Sequence, residues 1–306
     1  MRLEFLMLTI FVVLFLSFTI KAQTHASVTI STQPKAKVWI NDVFWGITNA
    51  KGEIVLRNLP AGTKKLRIRA TGFKEANFLL NLARKNLKVD LVRTDDKAEL
   101  TFQQAEDMVS SDRQKAIELY QQAISLNPKY AEAYIGLARA LLDSGYTEQA
   151  LEAISKARRI RPIYPEASAV EGRVHKAEGN QQKAVASFLR AIREGKGFQP
   201  EAHVGLGLFY QEKAEEFSSE GDLERERKTY NLAAYHLRKA IKQLAGAPDA
   251  VVIYQILGVI YERQGKYNEA IKLYEEFLEK FPESNEREAI ESFIVQIRKK
   301  IKEQDQ

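Results

Sequence analysis

The sequence predicts a chain in two parts, a small all-β domain followed by an all-α solenoid. Three observations predict it. Apolar and polar residues alternate with period two between Ser27 and Leu91. Past Arg93-Thr94-Asp95-Asp96-Lys97 the period becomes helical. A column of alanines then recurs at Ala116, Ala150 and Ala184, a step of 34 residues, and continues at Ala233 and Ala270.

At 306 residues, 45% apolar and 28% charged, the chain is long and apolar enough to fold into more than one domain. It has no cysteine, which excludes disulfide scaffolds, thiolate metal sites, thiol catalysis and a lipidated N-terminal cysteine. His25, His175, His203 and His236 include no i, i+3 or i, i+4 pair, so no helical metal site is expected. The net charge of +6 is unevenly spread. Residues 23–93 hold 13 Lys/Arg against 4 Asp/Glu, whereas 94–306 hold 31 against 35. The two parts therefore suit different counterparts.

Residues 1–22 open with Arg2 and run through an apolar stretch from Leu6 to Ile20 before Lys21-Ala22. Fifteen residues fall short of the roughly 20 that span a bilayer. A basic start, a short apolar core and a small residue behind it form a signal peptide or signal anchor. Cleavage after Ala22 or Ala26 is expected ahead of anchoring. The chain is thus expected to be exported, to a periplasm or cell surface, with anchoring through this segment as the alternative.

Within 27–93 the alternating segments are Val28/Ile30, Ala36/Val38/Ile40, Ile54/Leu56, Leu66/Ile68 and Leu87/Val89/Leu91. Asn41-Asp42, Gly46, Lys51-Gly52, Pro60-Ala61-Gly62 and Gly72 supply turn chemistry between them. Short strands at this spacing predict a small antiparallel sandwich. Pro34 to Asn41, Gly46-Ile47-Thr48, Leu59-Pro60-Ala61-Gly62-Thr63 and Ala70-Thr71-Gly72-Phe73 resemble the PEGA domain family. Asn49 to Glu53 looks more like the carboxypeptidase regulatory-like β domains. Either resemblance implies an extracytoplasmic accessory domain without catalysis. Alternation turns Lys35, Lys37, Trp39, Lys65, Arg67 and Arg69 outward as one basic surface. Its expected counterpart is an anionic membrane or envelope polysaccharide, and not nucleic acid.

In the helical part, Tyr254, Leu257-Gly258, Tyr261, Gly265, Tyr267, Ala270, Tyr274 and Pro282 resemble a tetratricopeptide repeat unit. Tyr134, Leu137-Ala138, Gly145, Ala150, Ala157 and Pro162 repeat the pattern. The expected units are 98–130, 131–164, 165–199, 200–249 and 250–283, with a capping helix over 284–304. The fourth unit is stretched and should hold two lengthened helices around Ser219-Glu220-Gly221-Asp222. The resemblance implies a concave groove lined by the first helix of each unit. Carried over residue by residue, it puts Arg139, Arg173, Gln211 and Gln255 in that groove, with Ile135, Leu208 and Val259 nearby. Two guanidinium groups one repeat apart suit a carboxylate or an acidic peptide.

No nucleophile elbow, zinc-protease helix, phosphate loop or dinucleotide fingerprint occurs. Gly205-Leu206-Gly207 falls inside a helical segment. No enzyme, cofactor or metal is expected. The expected function is a protein–protein interaction scaffold of the bacterial cell envelope. Its repeat groove holds a partner protein segment and its β domain docks on an anionic surface. The alternative is a glycan- or peptidoglycan-binding protein acting through the β domain.

Overall fold

The structure is a computed structural model that describes residues 26–59 and 64–304. The leader over 1–22 and positions 60–63 of the Leu59–Thr63 motif lie outside the described residues. Among the described residues no helix is long and apolar enough to cross a membrane.

Seven strands come first: β1 (Ala26–Ser31), β2 (Lys37–Ile40), β3 (Val43–Ile47), β4 (Glu53–Leu59), β5 (Lys64–Arg69), β6 (Ala76–Leu80) and β7 (Asn86–Lys88). They form two small sheets, ordered β4-β1-β7 and β3-β2-β5-β6. The two sheets bury Val28, Ile30, Val38, Ile40, Leu56, Leu66 and Ile68 in one core. Two features differ from a reading by alternation. Gly46 lies within β3 rather than in a turn, at φ +136°, beside a register shift opposite Val38. That bulge breaks the period and hides the strand. The pairing of β1 with β7 is parallel, so the unit is not wholly antiparallel. The tight turn before β4 needs glycine. Gly52 has φ +79°, and a Cβ there would lie 2.0 Å from the Thr32 carbonyl oxygen.

The rest is helical: α1 (Lys97–Met108), α2 (Arg113–Leu126), α3 (Ala131–Asp143), α4 (Thr147–Ile160), α5 (Pro165–Ala177), α6 (Gln181–Glu194), α7 (Pro200–Ser219), α8 (Leu223–Leu244), α9 (Ala250–Arg263), α10 (Tyr267–Lys280) and α11 (Arg287–Gln304). They stack as five antiparallel pairs and a terminal helix. Side chains of Asp96, Asp112, Asn180 and Asp222 cap helix starts by accepting backbone N–H bonds. Small residues let the helices approach. The Phe188 ring of α6 is wedged between Gly172 on α5 and Gly205 on α7. The Tyr274 ring of α10 lies against Gly258 on α9 in the same way. These contacts explain the small-residue columns of the sequence.

Helices α7 and α8 are the long pair, at 20 and 22 residues. The apolar core of the β unit is continuous with that of pairs four and five and the terminal helix, not with pair one. The join is the loop after α8. A Cβ on Gly246 would lie 2.8 Å from the Arg57 carbonyl oxygen and 3.4 Å from the Trp45 ring, and Trp45 is only 7% exposed. Asn58 Nδ2 donates to the Lys280 carbonyl at 2.8 Å.

A second, polar junction holds α1. Gln103 Oε1 accepts from Gly72 N at 2.9 Å, and Gln103 Nε2 donates to the Phe73 carbonyl at 2.8 Å. Glu99 Oε1 accepts from Glu75 N at 3.1 Å, and Asp107 accepts from the Thr71 hydroxyl at 2.9 Å. Both ends of the array therefore rest on the same β unit.

Candidate functional site

Arg139, Arg173, Gln211 and Gln255 lie on the first helices of their pairs. α3 lies beside α5 and α5 beside α7, whereas α9 packs chiefly on α8 and α10. The structure brings Arg139 and Arg173 together, but as a closed ionic network. Arg139 crosses α5 to reach Glu201 on α7 with two bonds of 2.8 and 2.7 Å, and meets Glu166 at 3.2 Å. Arg173 binds Asp143 at 3.0 Å and Glu201 at 3.4 Å. Burial works against ionisation of Glu201, but Arg139 and Arg173 outweigh it and hold its carboxyl below the usual range. The two guanidinium groups are thus committed to carboxylates of this chain, contrary to the expectation of open anion receptors. Ile135, expected nearby, is buried in the stack.

On α9 two apolar side chains are open. Val252 and Val259 of α9 are 53% and 48% exposed, one heptad apart on one face. Leu208 of α7 is half-buried. Gln211 Nε2 donates to Glu215 at 3.3 Å, while its buried Oε1 has no partner among the described residues. Gln255 Nε2 donates to Glu286 at 3.0 Å. α9 thus presents two exposed apolar side chains. They can take an apolar side chain from an incoming segment.

The six residues expected to form one basic surface of the β unit do not act together. Lys37 pairs with Asp107 at 2.8 Å and with Glu106 at 3.7 Å. Arg69 is buried, not outward, between Glu75 and Glu106. Burial disfavours its charge, yet those two carboxylates raise its pKa above the ordinary value. The outer face of β5 is covered at this end by α1, which alternation along one strand does not register. Trp39 is half-buried, with the Arg67 guanidinium 4.5 Å above its ring and Phe44 at 5.6 Å. Its ring face is occupied from within. Arg67 and Lys65 also flank Asp42, at 3.9 and 3.5 Å. Lys35 sits exposed in the turn before β2 at φ +58°.

One constellation escaped the linear spacing. His203 of α7 and His236 of α8 face each other, Nδ1 to Nδ1 at 3.0 Å, with Tyr210 stacked on His236. They are 33 residues apart, so only the packing of the lengthened pair joins them. Burial lowers the pKa of both, and His203 helps push His236 down to about 4. An open cleft of about 480 Å³ between α4, α5 and α6 holds Arg158, Arg190 and His175. Glu171 and Glu194 already answer its two arginines. Among the described residues no three potential metal ligands gather.

Residues 110–174 and 251–284 match tetratricopeptide repeat families. Anaphase-promoting complex subunit 3 of Schizosaccharomyces pombe is 25% identical over 197 residues, 59% of this chain and 27% of that protein. The chain thus spans about a quarter of the length of that curated relative. Among solved structures, a thermophilic TPR protein of Thermus thermophilus is 19% identical, covering 65% of this chain and 98% of that one, with a TM-score of 0.47. PilW, a widely conserved type IV pilus biogenesis factor, is 14% identical, covering 67% and 87%, with a TM-score of 0.49. The C-terminal region of this chain carries tetratricopeptide repeats, a fold that generally serves protein–protein interaction and scaffolding.

Proposed function

We propose that this protein is a non-enzymatic scaffold of an exported envelope assembly, and that its repeat groove holds one extended or helical segment of a partner protein. The observation that carries this reading is the asymmetry of the inner face. Arg139, Glu201 and Arg173 satisfy one another in its N-terminal half, while Val252 and Val259 stand exposed in the other. An apolar pair on one helix face is suited to anchor a partner side chain, and the Gln255 amide between the two valines suits its backbone. The β unit, a small sandwich of the PEGA-like or regulatory-like kind, serves as the docking end. The leader over 1–22 supports export.

The test is purification of the full chain from its native envelope beside V252E/V259E. A partner recovered with the parent chain and lost from the variant, at unchanged melting temperature, supports the reading. Equal recovery by both refutes it.

A further inference from the structure

The exposed face of α9 extends beyond its two valines. Asp249, Val252, Ile256, Val259 and Arg263 follow one another at steps of three and four residues, so they form one stripe along the helix. Ile256 is half-buried within it, between the exposed Val252 and Val259. Helix α5 has a first helix packed on either side, α3 and α7, whereas neither α7 nor α11 packs along α9. These two neighbours reach α9 through side chains at the margins of the stripe. Arg263 turns to the Tyr230 hydroxyl of α8 at 3.1 Å and to Glu215 of α7 at 3.7 Å. On the other flank Gln255 donates to Glu286, just ahead of α11, at 3.0 Å, and Glu262 meets Lys300 of α11 at 3.6 Å. Gln255 and Glu262 are one heptad apart, so they share that flank.

Charge along the stripe is uneven. At its C-terminal end Glu215 is matched by Arg263 and Glu262 by Lys300. At its N-terminal end, among the described residues, neither Asp249 nor Glu286 has a cation within ion-pair distance. Asp249 precedes α9 but its side chain caps no backbone N–H, so the helix makes no use of that carboxylate. Burial and the neighbouring Glu201 raise the Asp249 carboxyl above its ordinary pKa. A cation arriving there would offset the repulsion from Glu201.

We propose that this stripe seats an amphipathic helix of a partner protein, with its apolar side chains on Val252, Ile256 and Val259 and a lysine or arginine beside Asp249 and Glu286. The inference rests on the groove reading and names the kind of segment the groove takes. Steps of three and four residues make the seam on which a second helix packs its knobs into holes. A helix laid there would supply the kind of neighbour that α5 has on both sides and α9 lacks. The basic residue follows from the two unmatched carboxylates, since charge complementarity selects the partner and fixes its register.

The test uses the full chain and a displayed library of random peptides about five helical turns long. Selection on the parent chain, depleted on V252E/V259E, should return sequences with apolar residues at steps of three and four and a lysine or arginine toward one end. The enriched peptide, made synthetically and labelled, should bind the parent in a fluorescence anisotropy titration and gain helical circular dichroism as it binds. D249K/E286K should weaken it about tenfold or more. D249N/E286Q, which perturbs the fold less, should weaken it to a smaller degree and flatten its salt dependence. Reselection on D249K/E286K should put an acidic residue where the basic one stood. Enriched sequences without the spacing, a bound peptide that stays extended, binding indifferent to D249N/E286Q, or no enrichment over V252E/V259E overturns the proposal. So does a parent chain that sediments as a dimer while V252E/V259E sediments as a monomer, because a second copy then covers the stripe. A native partner lost from V252E/V259E, with no basic helix returned by the selection, leaves the groove reading standing and refutes this inference alone.

Discussion

Gly172→Ala puts the packing of the array to a quantitative test. In an ordinary helix interior this substitution stabilises by about 1 kcal/mol. Here the added Cβ would lie 2.6 Å from both Cδ1 and Cε1 of Phe188. The ring cannot move away, because its Cζ already lies 2.4 Å from the Cβ position of Gly205 on the far side. An overlap of this size, in a fully buried contact, costs about 1–3 kcal/mol. Set against the helical gain, the overlap leaves G172A a net loss of up to about 2 kcal/mol, read at about 2–4 °C per kcal/mol in a thermal melt. F188L removes the obstructing ring atoms. In the double variant G172A/F188L the alanine should recover its helical advantage, giving a coupling energy of about 1 kcal/mol or more. G172A melting at or above the parent, with no coupling to F188L, would refute the wedge and the register of the repeats built on it.

R139A/R173A should not be silent. It leaves the Glu201 carboxylate half-buried without its cations, at a cost of about 1–3 kcal/mol once partial solvent screening is allowed for. Adding E201Q should recover most of that loss in the same melt. R69M should loosen the junction with α1, because it strands Glu75 and Glu106, and a protease should then cut near residues 93–97 faster than in the parent. Ala150 is fully buried, and A150L should overpack its contact by about 1–3 kcal/mol. Acid should weaken the fold in two windows. His236 stays neutral in the fold down to about 4. An unfolded histidine takes up its proton near 6.5, so the unfolded state gains protons first. Stability should therefore fall as pH drops from 6.5 toward 4, by about 1 kcal/mol at pH 5 after discounting for the partly exposed ring. H236F should flatten that slope in a urea titration. Glu201 and Glu75 have lowered folded pKa values, so their contribution is present above the unfolded value and is lost only below it, in the second window.

The helical array was legible because its constraint is local and recurrent. Each close helix contact needs a small residue, and Ala116, Ala150 and Ala184 recur at the period of the contact itself. The β strands were legible where one face is core and one is solvent, as in Val38 and Ile40. They were lost where the period breaks, as at the Gly46 bulge in β3. The contacts that join the parts left no local trace. Arg69 looks outward along its strand, but it lies under a helix that begins 28 residues later. Nothing near Trp45 in the sequence points to Gly246, and nothing near His203 points to His236. The groove arginines lie on the expected helices, but their carboxylate partners come from neighbouring repeats, one of them two repeats away. Pattern alone could not tell an open receptor from a closed network.

The bracing of α1 and of the Gly246 and Lys280 loops against one β unit turns that unit into a ruler. Solenoids usually lengthen or shorten freely, since each repeat touches only its neighbours. Here a repeat inserted or deleted between α2 and α8 would rotate and displace the far end. Gly246 would then miss Trp45, and Asn58 would miss the Lys280 carbonyl. The number of repeats is therefore measured by the distance between two seats on a single rigid block. The superhelical pitch is measured with it, so the array cannot stretch or coil to fit a guest as an open solenoid can. A segment bound along the array, as proposed, would meet a length and curvature set by those two seats.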